Sequence, residues 1–211
     1  SCLDLTGVDP GLKQQLRAEA SVGGPEDEKP FILSHDKLYL NRFYHYESDV
    51  AALISARNVA LGIPDANLLA TKLEQHFGDA EHNRQKLAAF LAITRKLAVI
   101  TGGPGTGKTS TVVKILDILL EESPDLTIKL VAPTGKAAMR LSDSISEWAA
   151  TREKKFQVQT LHRLLGMRKD GRTWRHGPQN QLKVDLLIVD EASMIDLTMM
   201  HRLLGALPDH T

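Results

Sequence analysis

The octet Gly102-Gly103-Pro104-Gly105-Thr106-Gly107-Lys108-Thr109 satisfies the spacing G-x-x-x-x-G-K-[ST], and each residue type in it answers a demand of phosphate chemistry. Glycines let the loop wrap so that backbone N–H groups point inward, and the dipole of a following helix adds to the anion cradle. Within such a cradle, taken as Gly102 through Ser110, Lys108 reaches the β- and γ-phosphates of a nucleotide and the Thr109 hydroxyl ligates magnesium. A phosphate loop of this kind needs a further carboxylate to hold the metal. Val184-Asp185-Leu186-Leu187-Ile188-Val189-Asp190-Glu191 supplies it, an apolar strand ending in two acids, with Asp190 lying 82 residues beyond Lys108. Asp190 is the candidate metal ligand. Glu191 is the candidate for polarising a water aimed at the γ-phosphate, the step that separates a hydrolase from a binder.

A second kind of chemistry is written in charge. The chain is neutral overall, with 26 Lys+Arg against 26 Asp+Glu, so no global field attracts a polyanion. Residues 151–183 nevertheless hold nine of the basic residues (Arg152, Lys154, Lys155, Arg163, Arg168, Lys169, Arg172, Arg175, Lys183) against Glu153 and Asp170. Phe156 and Trp174 lie in the same stretch. Backbone neutralisation beside aromatic stacking surfaces is how single-stranded nucleic acid is held without regard to sequence. The plainer reading of residues 168–181 is a disordered, solvated surface loop, and the sequence leaves both open.

These groups need elements to position them. From about residue 81 helical and short apolar segments alternate, the grammar of a parallel sheet, with strands expected at Leu97–Thr101, Leu126–Ala132 and Val184–Asp190 and a helix at Thr109–Leu120. Upstream, Phe31–Leu33 and Leu38–Tyr44 flank Ser34-His35-Asp36-Lys37 as a hairpin, and helices are expected over Glu47–Ala60 and Asp65–Phe77, with Pro64-Asp65 as start and Gly78 as stop. Residues 1–30 have the polar, Gly- and Pro-rich composition of a mobile linker. The expected organisation is therefore a flexible segment (1–30), a small α/β module (31–80) and an α/β nucleotide-binding domain (81–211). Composition fits a globular protein of 211 residues, 42% hydrophobic and 25% charged. Cys2 is the only cysteine, which excludes an internal disulfide framework and a multi-cysteine zinc site. No apolar run approaches the ~18 residues of a membrane span, so the expectation is a cytoplasmic protein with no membrane partner.

Glu191 is followed by Ala192-Ser193-Met194-Ile195-Asp196, and this segment, Val131-Ala132-Pro133-Thr134-Gly135-Lys136-Ala137-Ala138 and Thr160-Leu161-His162-Arg163-Leu164-Leu165-Gly166 together resemble the superfamily 1 DNA helicases. Within that superfamily the chain is similar to the RecD family, the alpha subunits of exodeoxyribonuclease V, and Leu38-Tyr39-Leu40-Asn41-Arg42 resembles the region ahead of that family's motor core. The resemblance implies a RecA-like P-loop NTPase fold, ATP and Mg2+ as ligands, and 5′ to 3′ movement on single-stranded DNA. It implies partners as well, namely duplex-end DNA and the other subunits of a RecBCD-type complex in double-strand break repair and recombination. By the same resemblance Gln85 is the adenine-reading glutamine, Thr134 and Lys136 lie along the single-strand backbone, and Thr160 and His162 couple DNA to the nucleotide site.

In that family a glutamine-containing sensor motif and a second motor lobe, carrying the arginine that stabilises the transferring phosphoryl group, follow the position of Pro208. The expectation is thus an excised chain that binds ATP and hydrolyses it poorly, because an arginine finger contributes about 10³ to 10⁵ in rate. A stand-alone RecD-like helicase is the alternative within the class, and a nucleotide-stabilised subunit-docking module is an alternative outside it. A P-loop kinase or GTPase is disfavoured, since no N-K-x-D guanine motif is present.

Overall fold

The computed structural model describes residues 2–62, 65–78, 83–103, 105–151 and 156–211. The chain forms two compact units, Ser1–Leu53 with Asp196–Leu204, and Ile54–Ile195 with Gly205–Thr211. The boundary expected near residue 81 lies outside the described residues.

The first unit holds β1 (Cys2–Asp4), α1 (Pro10–Ala18), β2 (Val22–Gly23), β3 (Phe31–Ser34), β4 (Lys37–Leu40) and the start of α2 (Asn41–Arg57). Its sheet runs β1-β4-β3-β2, antiparallel except for the β2–β3 pair. The segment expected to be a mobile linker is instead folded. Asp9 caps α1 by accepting from Leu12 N (3.1 Å), Pro10 opens the helix with its φ already set, and β1 and β2 each find a backbone ladder. Composition hid this because α1 buries no side chain and β2 is only two residues long.

The hairpin is present with His35-Asp36 as its turn, but the second strand stops at Leu40 rather than running to Tyr44. Asn41 diverts the chain there: its backbone N donates to Pro30 O (2.9 Å) and its amide to Lys29 O (2.8 Å), and the aromatics that follow take helical spacing. The segment Asp196–Leu204, most of α8 (Leu197–Ala206), belongs to this unit. Tyr46 stacks on His201 at 4.4 Å, and Asp49 Oδ2 lies 2.9 Å from His201 Nε2.

The second unit holds α3 (Ala66–Phe77), α4 (Arg84–Thr94), α5 (Lys108–Glu122), β5 (Ile128–Ala132), α6 (Gly135–Thr151), β6 (Val158–Thr160), α7 (Leu161–Leu164) and β7 (Leu186–Val189). Its sheet is parallel throughout, in the order β6-β5-β7. Asp65 caps α3 and Gly78 ends it at φ 76°, while Pro64 falls outside the described residues. The expected grouping of this helix with the hairpin is corrected, because Leu69, Leu73 and Phe77 pack with Ala89 of α4 and Ile115 and Ile118 of α5. The helix after the phosphate loop buries Leu116 against Leu130 of β5 and Leu141 and Ile145 of α6.

Two expectations about aromatic and apolar segments fail on packing grounds. Leu97–Thr101 forms no strand: among the described residues it has no ladder partner, and Val99 is 80% exposed. Extended backbone becomes a strand only when its N–H and C=O groups meet a neighbouring chain. Phe156 does not offer a free stacking surface either, since its ring lies 4.9 Å from Trp148 within the core. Trp148 in turn donates its indole N–H to the buried Asp117 of α5 (2.8 Å).

Two measurements probe this packing. Trp148→Phe keeps an aromatic ring against Phe156 but removes a donor from a buried carboxylate, so urea unfolding should report a loss of about 1–3 kcal/mol. An unchanged midpoint would count against the bond. Tyr39, buried in the first unit, is pushed up to about 12 by desolvation and then by the nearby Glu47 charge. The unfolded chain ionises this phenol near the ordinary ~10. The stability it confers is therefore complete below that value and declines as pH rises towards about 12. One of the three tyrosines should ionise late in an alkaline absorbance titration, and three simultaneous transitions would contradict the burial.

Candidate nucleotide-binding site

β5 is bonded on both edges, with Ala132 opposite Thr160 and Val131 opposite Val189. This register brings the carboxyl ends of three parallel strands level. In open α/β sheets ligands bind at that edge. Thr134 lies two residues past β5, Thr160 ends β6, and Asp190 follows β7, with its backbone N donating to Val131 O (2.9 Å). The sheet thus gathers Thr134, Thr160 and Asp190 at one edge from segments far apart in sequence.

The phosphate loop runs into α5. Gly105 and Gly107 adopt φ of 75° and 80°, a conformation that side chains with a Cβ rarely take. Gly107 is the N-cap of α5 and makes no side-chain cap bond, so the first amides of the helix are left without a capping side chain. The Lys108 ammonium sits within the loop, donating to Gly102 O (2.7 Å) and Gly103 O (2.9 Å). Thr106 Oγ1 donates to Gly103 O (2.9 Å) and tightens the turn. Thr109 is half-buried and Ser110 exposed at the start of the helix. Pro104 lies outside the described residues.

Gln85 joins this loop directly. Asn83 caps α4, accepting from Gln85 N (3.0 Å) and Lys86 N (3.1 Å), and the Gln85 amide then donates to Thr106 O (3.0 Å). One amide hydrogen and the carbonyl oxygen of that side chain are left over, which is the pair of groups an adenine edge requires. The φ of Gly107 favours glycine, and a Cβ built there would lie 2.5 Å from Gln85 Nε2, so a larger residue would also push the Gln85 amide aside.

The donor set suits magnesium chemically. Thr109 and Asp190 offer hard oxygen ligands, and Mg2+ bound with a nucleotide uses one or two protein oxygens, phosphate oxygens and water rather than a protein cage. No cluster of three or more His, Cys, Asp or Glu able to hold a metal occurs among the described residues. Glu191 is exposed, and its backbone is left-handed (φ 51°, ψ 40°), which costs a residue bearing a Cβ roughly 1–2 kcal/mol. Its N–H donates to Asp190 Oδ1 (3.0 Å). No sequence signal announces this conformation, because Glu is not a residue that favours it.

The groups expected to meet nucleic acid are arranged around the same edge. Thr134 Oγ1 accepts from Ala137 N (3.2 Å) and caps α6, whose Lys136 is exposed. Thr160 Oγ1 accepts from Arg163 N (3.3 Å) at the start of α7, and His162 is exposed. Both threonines therefore hold helix ends as well as offering hydroxyls. Residues 168–181 form a folded arm rather than a disordered loop. Backbone bridges join Met167 to Trp174 and Gly177 to Asn180.

Asp170 holds the turn of the arm. Its carboxyl is lowered to about 2, first by the Thr173 hydroxyl and then by the backbone N–H groups of Thr173 and Arg172. Trp174 folds back to 5.7 Å from the His162 ring, a contact the sequence could not foretell because the intervening loop has no periodicity. Arg168, Lys169, Arg172 and Arg175 are exposed on the arm, whereas Arg152, Lys154 and Lys155 lie outside the described residues.

Residues 85–211 match the AAA domain family. The chain is 42% identical to the RecBCD enzyme subunit RecD of Mycolicibacterium smegmatis, in an alignment covering 99% of this chain and 39% of that protein. It is 33% identical to the RecBCD enzyme subunit RecD of Buchnera aphidicola subsp. Schizaphis graminum, covering 100% and 36%. It is 44% identical to the ATP-dependent RecD2 DNA helicase of Deinococcus radiodurans, covering 96% and 28%. The chain spans less than two fifths of the length of these relatives.

The two left-handed glycines predict a graded pair of variants. A Cβ at Gly105 meets nothing within 4 Å, so Gly105→Ala carries the backbone penalty alone, about 1–2 kcal/mol. Gly107→Ala adds displacement of Gln85 and should lose more nucleotide affinity, tenfold or so against a few-fold in a fluorescent-ATP titration. Equal losses would show that the Gln85 contact is immaterial to the loop.

Proposed function

The chain belongs to the AAA domain family, and on that premise we propose that it is the ATP-binding first motor lobe of a DNA helicase subunit of the RecD type. The observation that carries the reading is the convergence at one sheet edge. The sheet gathers Thr134, Thr160 and Asp190 at one edge, and the phosphate loop joined to Gln85 leads into α5, which packs through Leu116 on Leu130 of the same sheet's central strand. ATP would lie with its phosphates against the amides of residues 105–109 and the Lys108 ammonium, and with adenine against Gln85. Thr109 and Asp190 would hold Mg2+, which when bound neutralises phosphate charge and orients the γ-phosphoryl group. Glu191 would orient the attacking water. Lys108, withdrawn from its two carbonyl partners, would follow the β- and γ-oxygens.

Single-stranded DNA would run past Thr134, Lys136, Thr160 and His162, with the basic arm neutralising backbone phosphates. The two relatives named as RecBCD subunits support a partner-bound motor. Duplex ends as substrate, 5′ to 3′ translocation and a role in double-strand break repair and recombination complete this reading. The relative named as an ATP-dependent RecD2 DNA helicase supports a stand-alone helicase as the second reading. No helix among the described residues is long and apolar enough to cross a membrane, and a cytoplasmic location is part of the same proposal.

The test is ATP hydrolysis with and without single-stranded DNA, in a protein carrying the whole motor. Lys108→Ala and Glu191→Gln should each abolish DNA-stimulated turnover, with Glu191→Gln retaining ATP binding; stimulated turnover in either variant would refute the roles. DNA affinity should fall with salt at about 0.7 log units per neutralised phosphate. Reversing Arg168, Lys169 and Arg172 together to Glu should flatten that slope, and an unchanged slope would remove the arm from the DNA path.

A further inference from the structure

Among the described residues, Glu191 and His35 are the only two other than glycine with positive φ, 51° and 52°. His35 sits in the two-residue turn of a hairpin, where such backbone is ordinary. Glu191 instead follows a parallel strand, at the position assigned to orient water. Residues held in sparsely populated backbone conformations persist only when their surroundings impose them, and they concentrate at switch points.

The surroundings here are explicit. Asp190 is anchored through its N–H to Val131 O, so its position belongs to the sheet. Its carboxylate Oδ1 then accepts from Glu191 N (3.0 Å), and Glu191 O accepts from Met194 N (3.0 Å) at the start of a short 3₁₀ turn, Ala192–Met194. Both polar groups of the Glu191 main chain are therefore tied while it is left-handed, and the tie on its N-terminal side is the carboxylate that the proposed function gives to the metal.

We propose that the Asp190 carboxylate is a shared acceptor, so that a divalent cation draws it from the Glu191 N–H and releases residue 191 from its left-handed conformation. The metal–nucleotide complex would then set the direction of the Glu191 side chain as it binds. Without it, the carboxylate of residue 191 is held in the conformation described here. A site built this way couples loading to the placement of its water-orienting group through one backbone hydrogen bond, with no moving domain required.

The switch rests on the assignment of Asp190 to the metal, and the experiment separates the two. Binding of a fluorescent ATP analogue to this chain is titrated in Mg2+ and in EDTA, and the ratio of the two affinities is the magnesium increment. Glu191→Ala, Glu191→Gly and Glu191→Asn all remove the same charge, but Gly and Asn accept left-handed backbone and Ala resists it. The increment should be about two- to fivefold smaller for Gly and Asn than for Ala, because they hold the metal-free conformation more firmly.

Thermal unfolding without nucleotide should rank Gly above Ala, and the opposite ranking would overturn the proposal. Equal increments across the three variants, or an order with Ala smallest, would overturn it too. Asp190→Asn identifies which idea has failed. If it leaves the increment unchanged, the metal assignment falls and the switch with it. If it abolishes the increment while the three variants at 191 agree, only the switch falls.

Discussion

The candidate site depends on one strand. Among the described residues Ile128–Ala132 is the one strand of its sheet bonded on both edges, and its ladders to Val158–Thr160 and Leu186–Val189 decide which residues emerge level at the carboxyl edge. Shifting either ladder by one residue would turn every side chain of that strand to the opposite face. Thr160 and Asp190 would then leave the edge together with the core contacts of Leu130 and Ile188. Function and packing are thus specified by the same register, and neither can drift without the other.

Around that strand the chemistry is local rather than global. A chain with equal numbers of acidic and basic residues cannot steer a polyanion through its total charge. Its attraction must come from concentrated groups: the unpaired amides at the start of α5, the Lys108 ammonium, and the exposed basic side chains of the arm. The arm is held by hydrogen bonds from Arg172 N and Thr173 to the Asp170 carboxylate and by the Trp174–His162 approach, and its Arg168, Lys169, Arg172 and Arg175 side chains are exposed. Gly166 contributes by size as well as by its φ of 67°, since a Cβ there would come within 2.7 Å of Arg175 Cβ.

Sequence was most informative where one residue type is demanded by geometry. The glycines and Lys108 of the phosphate loop, the acids after an apolar run, and the amphipathic helix behind the loop could all be read because few other residues meet those demands. Sequence was least informative where structure depends on a partner distant in the chain. Leu97–Thr101 has the composition of a strand but finds no ladder among the described residues, so composition misled. The first thirty residues look like linker, yet β1 and β2 exist because β4 and β3 receive them. Phe156 sits among basic residues in the sequence and stacks on Trp148 in the core. Gln85 could be placed at the loop only by resemblance, whereas its bond to Thr106 O requires the fold.

The first unit is discontinuous, since Asp196–Leu204 belongs with Ser1–Leu53. On a ribosome adding roughly 5–20 residues per second, the stretch between these two parts takes on the order of 7 to 30 s to synthesise. During that interval the small N-terminal sheet lacks the helix that supplies His201 to Tyr46 and Asp49. The intervening residues, Ile54–Ile195, are most of the second unit, whose last part, Gly205–Thr211, follows the helix of the first. The segment translated first therefore waits through the synthesis of most of the second unit for its own helix, and neither unit is whole until the residues after Ile195 are made, a window in which chaperone binding or proteolysis competes with folding.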